Sequence, residues 1–221
     1  MDFFNSVINF FQDGGPFMYP IAMVLVIGLA VAIERWLFLS HARLSNRSAF
    51  DRIMPLLHKQ DYSGVINMAR TIRAPVGRIV AAGIMRLQQT PRRDDVEYAM
   101  EEGVMEAVPR LERRTSYLAT LANIATLLGL LGTIMGLIAA FTAVASADPA
   151  EKASLLSQSI SVAMNTTAFG LMSAIPLLLL HAMLQNKTTE IVDSLEMAGV
   201  KCLNILSSTH AFGIRSRTVE G

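Results

Sequence analysis

Hydrophobic positions gather into three apolar runs, Phe17–Ile33, Leu118–Val144 and Ile160–Leu184, separated by stretches in which apolar and polar residues alternate at helical spacing. At about 1.5 Å per residue, each run is long enough to cross roughly 30 Å of hydrocarbon as a helix. Between the first and second runs, turn and capping residues predict short helices: Ser45 to about His58, Asp61 to about Thr71, Pro75 to about Gln89, and a longer helix from Pro91. Asp61 and Thr90 are N-cap candidates, and Pro75 and Pro91 suit a first helical turn. No glycine-rich break separates the last of these from the second run, so one rod is expected there, with a kink at Pro109. After the third run, Ile191, Leu195, Ala198 and Cys202 recur at helical spacing and predict an amphipathic tail helix beside the insert. Ser208–Gly221 carries no periodic pattern.

The layout is therefore an all-α integral membrane protein: a leading segment 1–15, span 16–39, helical insert 40–115, span 116–144, loop 145–157, span 158–185, and a helix with tail 186–221. Composition agrees, with 52% hydrophobic and 17% charged residues in 221 and a mean hydropathy of +0.41. Met1–Gly15 has neither Lys nor Arg, so the first run reads as a retained span and not as a cleaved signal. Fourteen of the nineteen Lys and Arg residues lie between Arg35 and Arg114, and only Lys152 lies in the loop between the later spans. By the positive-inside rule the insert and tail are cytoplasmic, the N-terminus faces out, and the C-terminus faces in. A net charge of +1 gives no reason to expect nucleic acid. Cys202 is the single cysteine, the four His residues lack metal-ligand spacing, and no phosphate loop or nucleophile elbow occurs, so no cofactor, metal or enzymatic site is predicted.

The second and third runs contain no Asp, Glu, Lys or Arg, yet both carry hydroxyls and an amide in mid-span. Asn123, Thr126 and Thr133 share one face of the second; Ser159, Val162, Thr166 and Ser173 share one face of the third. Such hydroxyls either bond back to the carbonyl one turn earlier and join neighbouring helices, or line a polar path whose titrating group comes from elsewhere. Gly129, Gly132 and Gly136 predict close helix packing, the last two as a small-xxx-small pair. Pro176 leaves the Met172 carbonyl without its helical donor. Glu34 and Arg35 end the first span as an interfacial pair, with subunit contact as a second reading, and His181 also falls near that membrane face. Glu106 and Arg110 are spaced as an ion pair on a charged helix, which reads either as a solvated face or as a docking site for another protein.

The segments LLGLLGTIMGLIAAF (Leu127–Phe141) and NTTAFGLMSAIP (Asn165–Pro176), with the Glu34–Arg35 pair, resemble the MotA/TolQ/ExbB proton channel family, the ExbB/TolQ-like branch above all. That resemblance implies a ring-forming oligomer, a homopentamer around a dimer of a single-span ExbD/TolR-like partner bearing a membrane Asp, in a bacterial inner membrane. It implies an ion-conducting motor subunit that uses the proton motive force for biopolymer transport or other envelope work. Thr133, Thr166 and Thr167 would then lie along the ion pathway, and Thr126, Ser159 and Asn165 are expected to line it with them. Two residues depart from the family pattern: Val162 stands where a Glu is frequent, and Thr126 where a Pro is usual. Loss of that Glu opens a Na⁺-driven variant beside the H⁺ reading, because Thr hydroxyls and carbonyls are hard oxygen ligands. It also leaves room for a non-conducting membrane scaffold.

Overall fold

The computed structural model describes residues 10–11, 14–72, 74–209 and 212. Most of the expected leading segment and of the tail beyond Thr209 lies outside the described residues. Six helices follow in order: α1 (Met18–His58), α2 (Tyr62–Thr71), α3 (Pro75–Gln89), α4 (Arg93–Glu112), α5 (Ser116–Ser146) and α6 (Lys152–Ser208), with no strand among the described residues. Three helical stretches are long and apolar enough to cross a membrane: α1, the α4–α5 stretch Arg93–Ser146, and α6. Their most apolar windows are only 22%, 22% and 28% buried within the chain, so the rest of each apolar surface needs lipid or another subunit against it. The protein is an all-α, multi-pass membrane protein.

The helices form two compact units. Among the described residues, the first holds those up to Arg35 together with Arg114–Leu184, and the second holds those of Trp36–Arg113 and those from Gln185 onward. In the first unit, Met18, Ile21 and Ala32 of α1, Leu118, Ala122 and Ala125 of α5, and Ala163, Ala174 and Leu177 of α6 are buried. Small residues dominate that list, as expected where lipid removes the hydrophobic drive and close backbone approach must hold helices together.

The second unit has a larger-residue core: Leu39, Ile53 and Leu57 of α1, Ile79 and Ile84 of α3, Met100 and Leu111 of α4, and Ile191, Leu195 and Leu206 of α6. The tail helix packs there as its spacing predicts, with Ala198 and Cys202 also buried. Burial pushes the Cys202 thiol up to about 12. Polar contacts tie α6 to α1 within this unit. Lys187 Nζ donates to Ser40 Oγ at 2.6 Å and lies 4.9 Å from the Trp36 ring centroid, and Arg43 pairs with Glu190 at 3.1 Å. Glu106 pairs with Arg110 at 3.2 Å and Arg78 at 3.7 Å, with all three side chains about half or more exposed, so these are solvated pairs.

Local signals account for several helix ends. Asp61 caps α2, its Oδ1 accepting the Gly64 N–H at 2.9 Å, and Pro75 occupies the first turn of α3. Three expectations are corrected. No separate helix begins at Ser45: α1 continues to His58, because nothing between Glu34 and Met54 breaks it and Asn46 turns its side chain to the Val76 N–H at 3.3 Å. Thr90 caps no helix start; its own N–H donates to Arg86 O and closes α3, and α4 starts after Arg92 with Asp94 and Asp95 in its positive first turn. The long rod is interrupted at 113–115, where Arg114 adopts φ +68°, the left-handed region that costs a non-glycine residue energy. The helix passes through Pro109 and ends three residues later at Glu112, and the turn that follows frees Arg114 and Thr115 for the contacts described below.

Candidate functional site

The centre of the first unit is the α5–α6 crossing, built backbone to backbone. A Cβ on Gly170 would sit 2.8 Å from Ala125 O and 3.0 Å from Gly129 Cα, and one on Gly129 would sit 3.2 Å from Gly170 Cα. One turn further on, Gly132 lies against the Thr166 side chain, and a Cβ on Gly136 would meet Ala163 Cβ at 2.8 Å. Only glycine permits this approach at 129 and 170. Across it, Thr167 Oγ1 donates to Gly129 O at 2.9 Å, an interhelical hydrogen bond that no water competes for inside a membrane.

Thr166 is buried, 1% exposed, and its hydroxyl faces two carbonyls: Gly14 O at 2.7 Å and Val162 O at 2.8 Å. One hydroxyl proton serves both. The turn preceding α1 therefore lies over α6, with Gly15 (φ +73°) near the Val162 side chain and Phe10 and Phe11 packed edge-on to Phe169 at 6.2 and 5.0 Å. Val162, the position without the frequent Glu, is half-buried beneath this turn. Nothing in the sequence pointed to residues 14–15 as Thr166's cover, because a backbone carbonyl leaves no side-chain signal.

The stripe on α5 is different. Asn123 and Thr126 are exposed and Thr133 half-buried; Thr126 donates to Ala122 O at 3.1 Å and Thr133 to Leu130 O at 2.6 Å, so each is satisfied within its own helix. Those oxygens keep lone pairs for a further partner. Ser159 and Asn165 of α6 are half-buried. Ser173 is buried with its hydroxyl unpartnered among the described residues, and Pro176 lies three residues on, exposed and inside an uninterrupted α6. Thr166 and Thr167 are thus drawn into one packed cluster with Gly129 and Gly132, and Thr126 and Thr133 stay on the open face of α5.

At the end of the span, Glu34 pairs with Arg114 at 3.5 Å, both half-exposed, and the buried Arg35 donates from Nε to Thr115 Oγ1 at 3.3 Å. His181 Nδ1 is 3.0 Å from Thr115 O, an arrangement that fits a proton on Nδ1. Thr115 thereby joins α1 to α6. Sequence reasoning missed Thr115 and Arg114; the available signal was a hydroxyl and a cation immediately preceding a long apolar run. The described residues contain no cluster of His, Cys, Asp and Glu suited to a metal.

A family model for the MotA/TolQ/ExbB proton channel family matches residues 71–197, more than half of the chain. The chain is 29% identical over 201 residues to a protein of Methanothermobacter thermautotrophicus named as a biopolymer transport protein ExbB homolog, covering 89% of this chain and 69% of that relative. It is 28% identical over 167 residues to the protein of Synechocystis sp. named as biopolymer transport protein ExbB-like 3, covering 75% of this chain and 79% of the relative.

Proposed function

Because the chain belongs to the MotA/TolQ/ExbB proton channel family, its ExbB-like branch, we propose that it is the ion-conducting subunit of an inner-membrane motor energised by the proton motive force. It forms a homopentamer around a dimer of a single-span, ExbD/TolR-like partner whose membrane Asp carries the ion. The insert and tail face the cytoplasm and the N-terminus faces the periplasm. One observation carries this reading: the second span holds hydroxyls on a partly open face, at Thr126 and Thr133, and neither it nor the third span contains an acid. An ion carrier in mid-membrane has to titrate or coordinate, and the acid must come in trans.

In this mechanism an ion from the outer side neutralises the partner's Asp beside Thr133, and the neutral group moves past an apolar sector before release inside. A charge falling through about 100 mV yields roughly 2.3 kcal/mol, several times thermal energy and enough to bias one rotational step. Thr166 and Thr167 shape the path wall from within the protomer, so an ion near Thr166 also passes the carbonyls of Gly14 and Val162. That trio of hard oxygens favours the Na⁺ alternative as a second reading. The engaged hydroxyls of Thr166 and Thr167 equally suit a non-conducting scaffold.

The test is to co-express the chain with a single-span partner, reconstitute the complex in liposomes, and record flux with H⁺ or Na⁺ as the only gradient. Proton flux that survives removal of Na⁺ and vanishes when the partner's Asp becomes Asn is expected. An intact complex that passes neither ion overturns the motor reading in favour of the scaffold.

A further inference from the structure

The second unit contains a cavity of about 300 Å³ between α1 and the last part of α6, lined by Arg43, Asn46, Arg47, Phe50, Glu190 and Lys201 among others. Its charge is one-sided. Glu190 is the single carboxylate in the lining and is engaged by Arg43 at 3.1 Å, which leaves Arg47 and Lys201 with no carboxylate partner among the described residues. Lys201 Nζ lies 5.9 Å from the Phe50 ring centroid, a contact that orients the ammonium without neutralising it.

Asn46 supplies an independent observation. It is 5% exposed, and its Oδ1 accepts the Val76 N–H at 3.3 Å, which fixes the amide so that the nitrogen is on the other side. That Nδ2 is buried with no partner among the described residues. A buried amide donor left unmet costs on the order of 1–3 kcal/mol, so such a group ordinarily has an acceptor in the working protein. Guanidinium, ammonium and amide N–H groups are all donors, and two of the three carry positive charge. The species that matches them accepts several hydrogen bonds and is anionic. Phe50, Val76, Leu195, Met197 and Ala198 make the rest of the wall largely apolar, so the charge recognition falls to these donors, and the one carboxylate that a cation would need, Glu190, is engaged by Arg43. The volume is at the small end for ligand cavities, which suits a phosphate group with little attached.

We infer that this cavity binds an oxyanion, a phosphate group borne by a small soluble molecule or by an anionic lipid headgroup, with Arg47 and Lys201 supplying charge and Asn46 the buried hydrogen bond. Arg43 and Arg47 follow Leu39, at the end of the first span, by four and eight residues, about 6 and 12 Å of helix. A lipid phosphate has to reach that far beyond the apolar stretch, and a soluble phosphate does not. The inference uses no residue of the ion path and stands whether or not the chain conducts.

The experiment uses the full chain in phosphatidylcholine nanodiscs, titrated with inorganic phosphate against sodium chloride of equal ionic strength, with binding read by calorimetry. Saturable phosphate binding is expected, weakened about tenfold or more in Arg47→Gln/Lys201→Gln, the loss typical of removing hydrogen bonds to charged groups. Asn46→Asp keeps the acceptor for Val76 but puts a carboxylate where the donor was, and is expected to abolish binding with the fold retained by circular dichroism. Replacing part of the lipid with phosphatidylglycerol separates the sources. Suppressed phosphate binding, or phosphatidylglycerol retained by the wild type and lost by the double variant in native mass spectrometry, assigns the headgroup; unchanged phosphate binding assigns the soluble ligand. Absence of saturable phosphate binding together with equal phosphatidylglycerol retention by wild type and variants overturns the inference, as does binding that survives both the double variant and Asn46→Asp.

Discussion

Adding a single methyl group at Gly170 tests whether the α5–α6 crossing is held at backbone contact. The new Cβ would meet Ala125 O at 2.8 Å, Gly129 Cα at 3.0 Å and Gly129 N at 3.3 Å, all backbone atoms that no rotamer change can move. Relief requires the helices to separate, which stretches the 2.9 Å bond from Thr167 to Gly129 O. Overpacking of this kind costs about 1–3 kcal/mol, and a weakened interhelical bond about 0.6 more. Alanine's better helix propensity returns about 1 kcal/mol. The net expectation for Gly170→Ala is a loss of roughly 0.5–2.5 kcal/mol, with Gly170→Val worse. Reversible unfolding in mixed SDS micelles followed by circular dichroism measures it. Gly199→Ala serves as the control, because a Cβ there would meet Met100 at an ordinary 3.9 Å and propensity alone should act. If Gly170→Ala matches or exceeds the wild type, as that control should, the crossing is looser than these distances state.

Thr133→Ala is expected to abolish ion flux in the reconstituted complex while the complex survives size-exclusion chromatography; flux at the wild-type rate removes Thr133 from the path. Thr167→Val should lower stability by about 0.6–1.7 kcal/mol through loss of its bond to Gly129 O, measured by the same SDS titration. Cys202, raised to about 12 from an ordinary value near 9, stays protonated when folded, so maleimide labelling at pH 8 should be slow until denaturant is added. Its raised value also has a sign: the contribution to stability is complete below pH 9 and is lost as pH climbs from 9 through 12, where only the unfolded chain ionises readily. Asp61→Ala should cost about 1 kcal/mol of the second unit's stability as the cap on Gly64 N–H disappears, with Asp61→Asn close to neutral.

Apolar length made the membrane helices legible, and the periodic residues Ile191, Leu195, Ala198 and Cys202 revealed the buried face of the tail helix, since both signals depend only on which surfaces are kept from water, by lipid or by the chain itself. Short-range chemistry was readable at Asp61 and Pro75. It misled at Ser45–Asn46, where polar residues looked like a helix start but Asn46 spends its acceptor on Val76, thirty residues away. The break at Arg114 was hidden for the same reason: no glycine or proline marks it, and what accompanies it is a set of contacts from Arg114 and Thr115 to Glu34, Arg35 and His181. The two hydroxyl stripes have equal seven-residue spacing, yet Thr166 is enclosed and Thr133 is open. Spacing assigns residues to a face and says nothing of what lies against it.

The bond from Thr166 to the carbonyl of Gly14 has a consequence for how such proteins change over generations. Every residue type presents the same carbonyl, so the partner of Thr166 survives almost any substitution at position 14 that leaves the turn intact. Selection acting on the threonine would leave no correlated mark on the segment that covers it. Drift in the leading segment and constancy at Thr166 are therefore compatible, and a search for co-varying positions would pass over this contact while it continued to wall the same part of the helix.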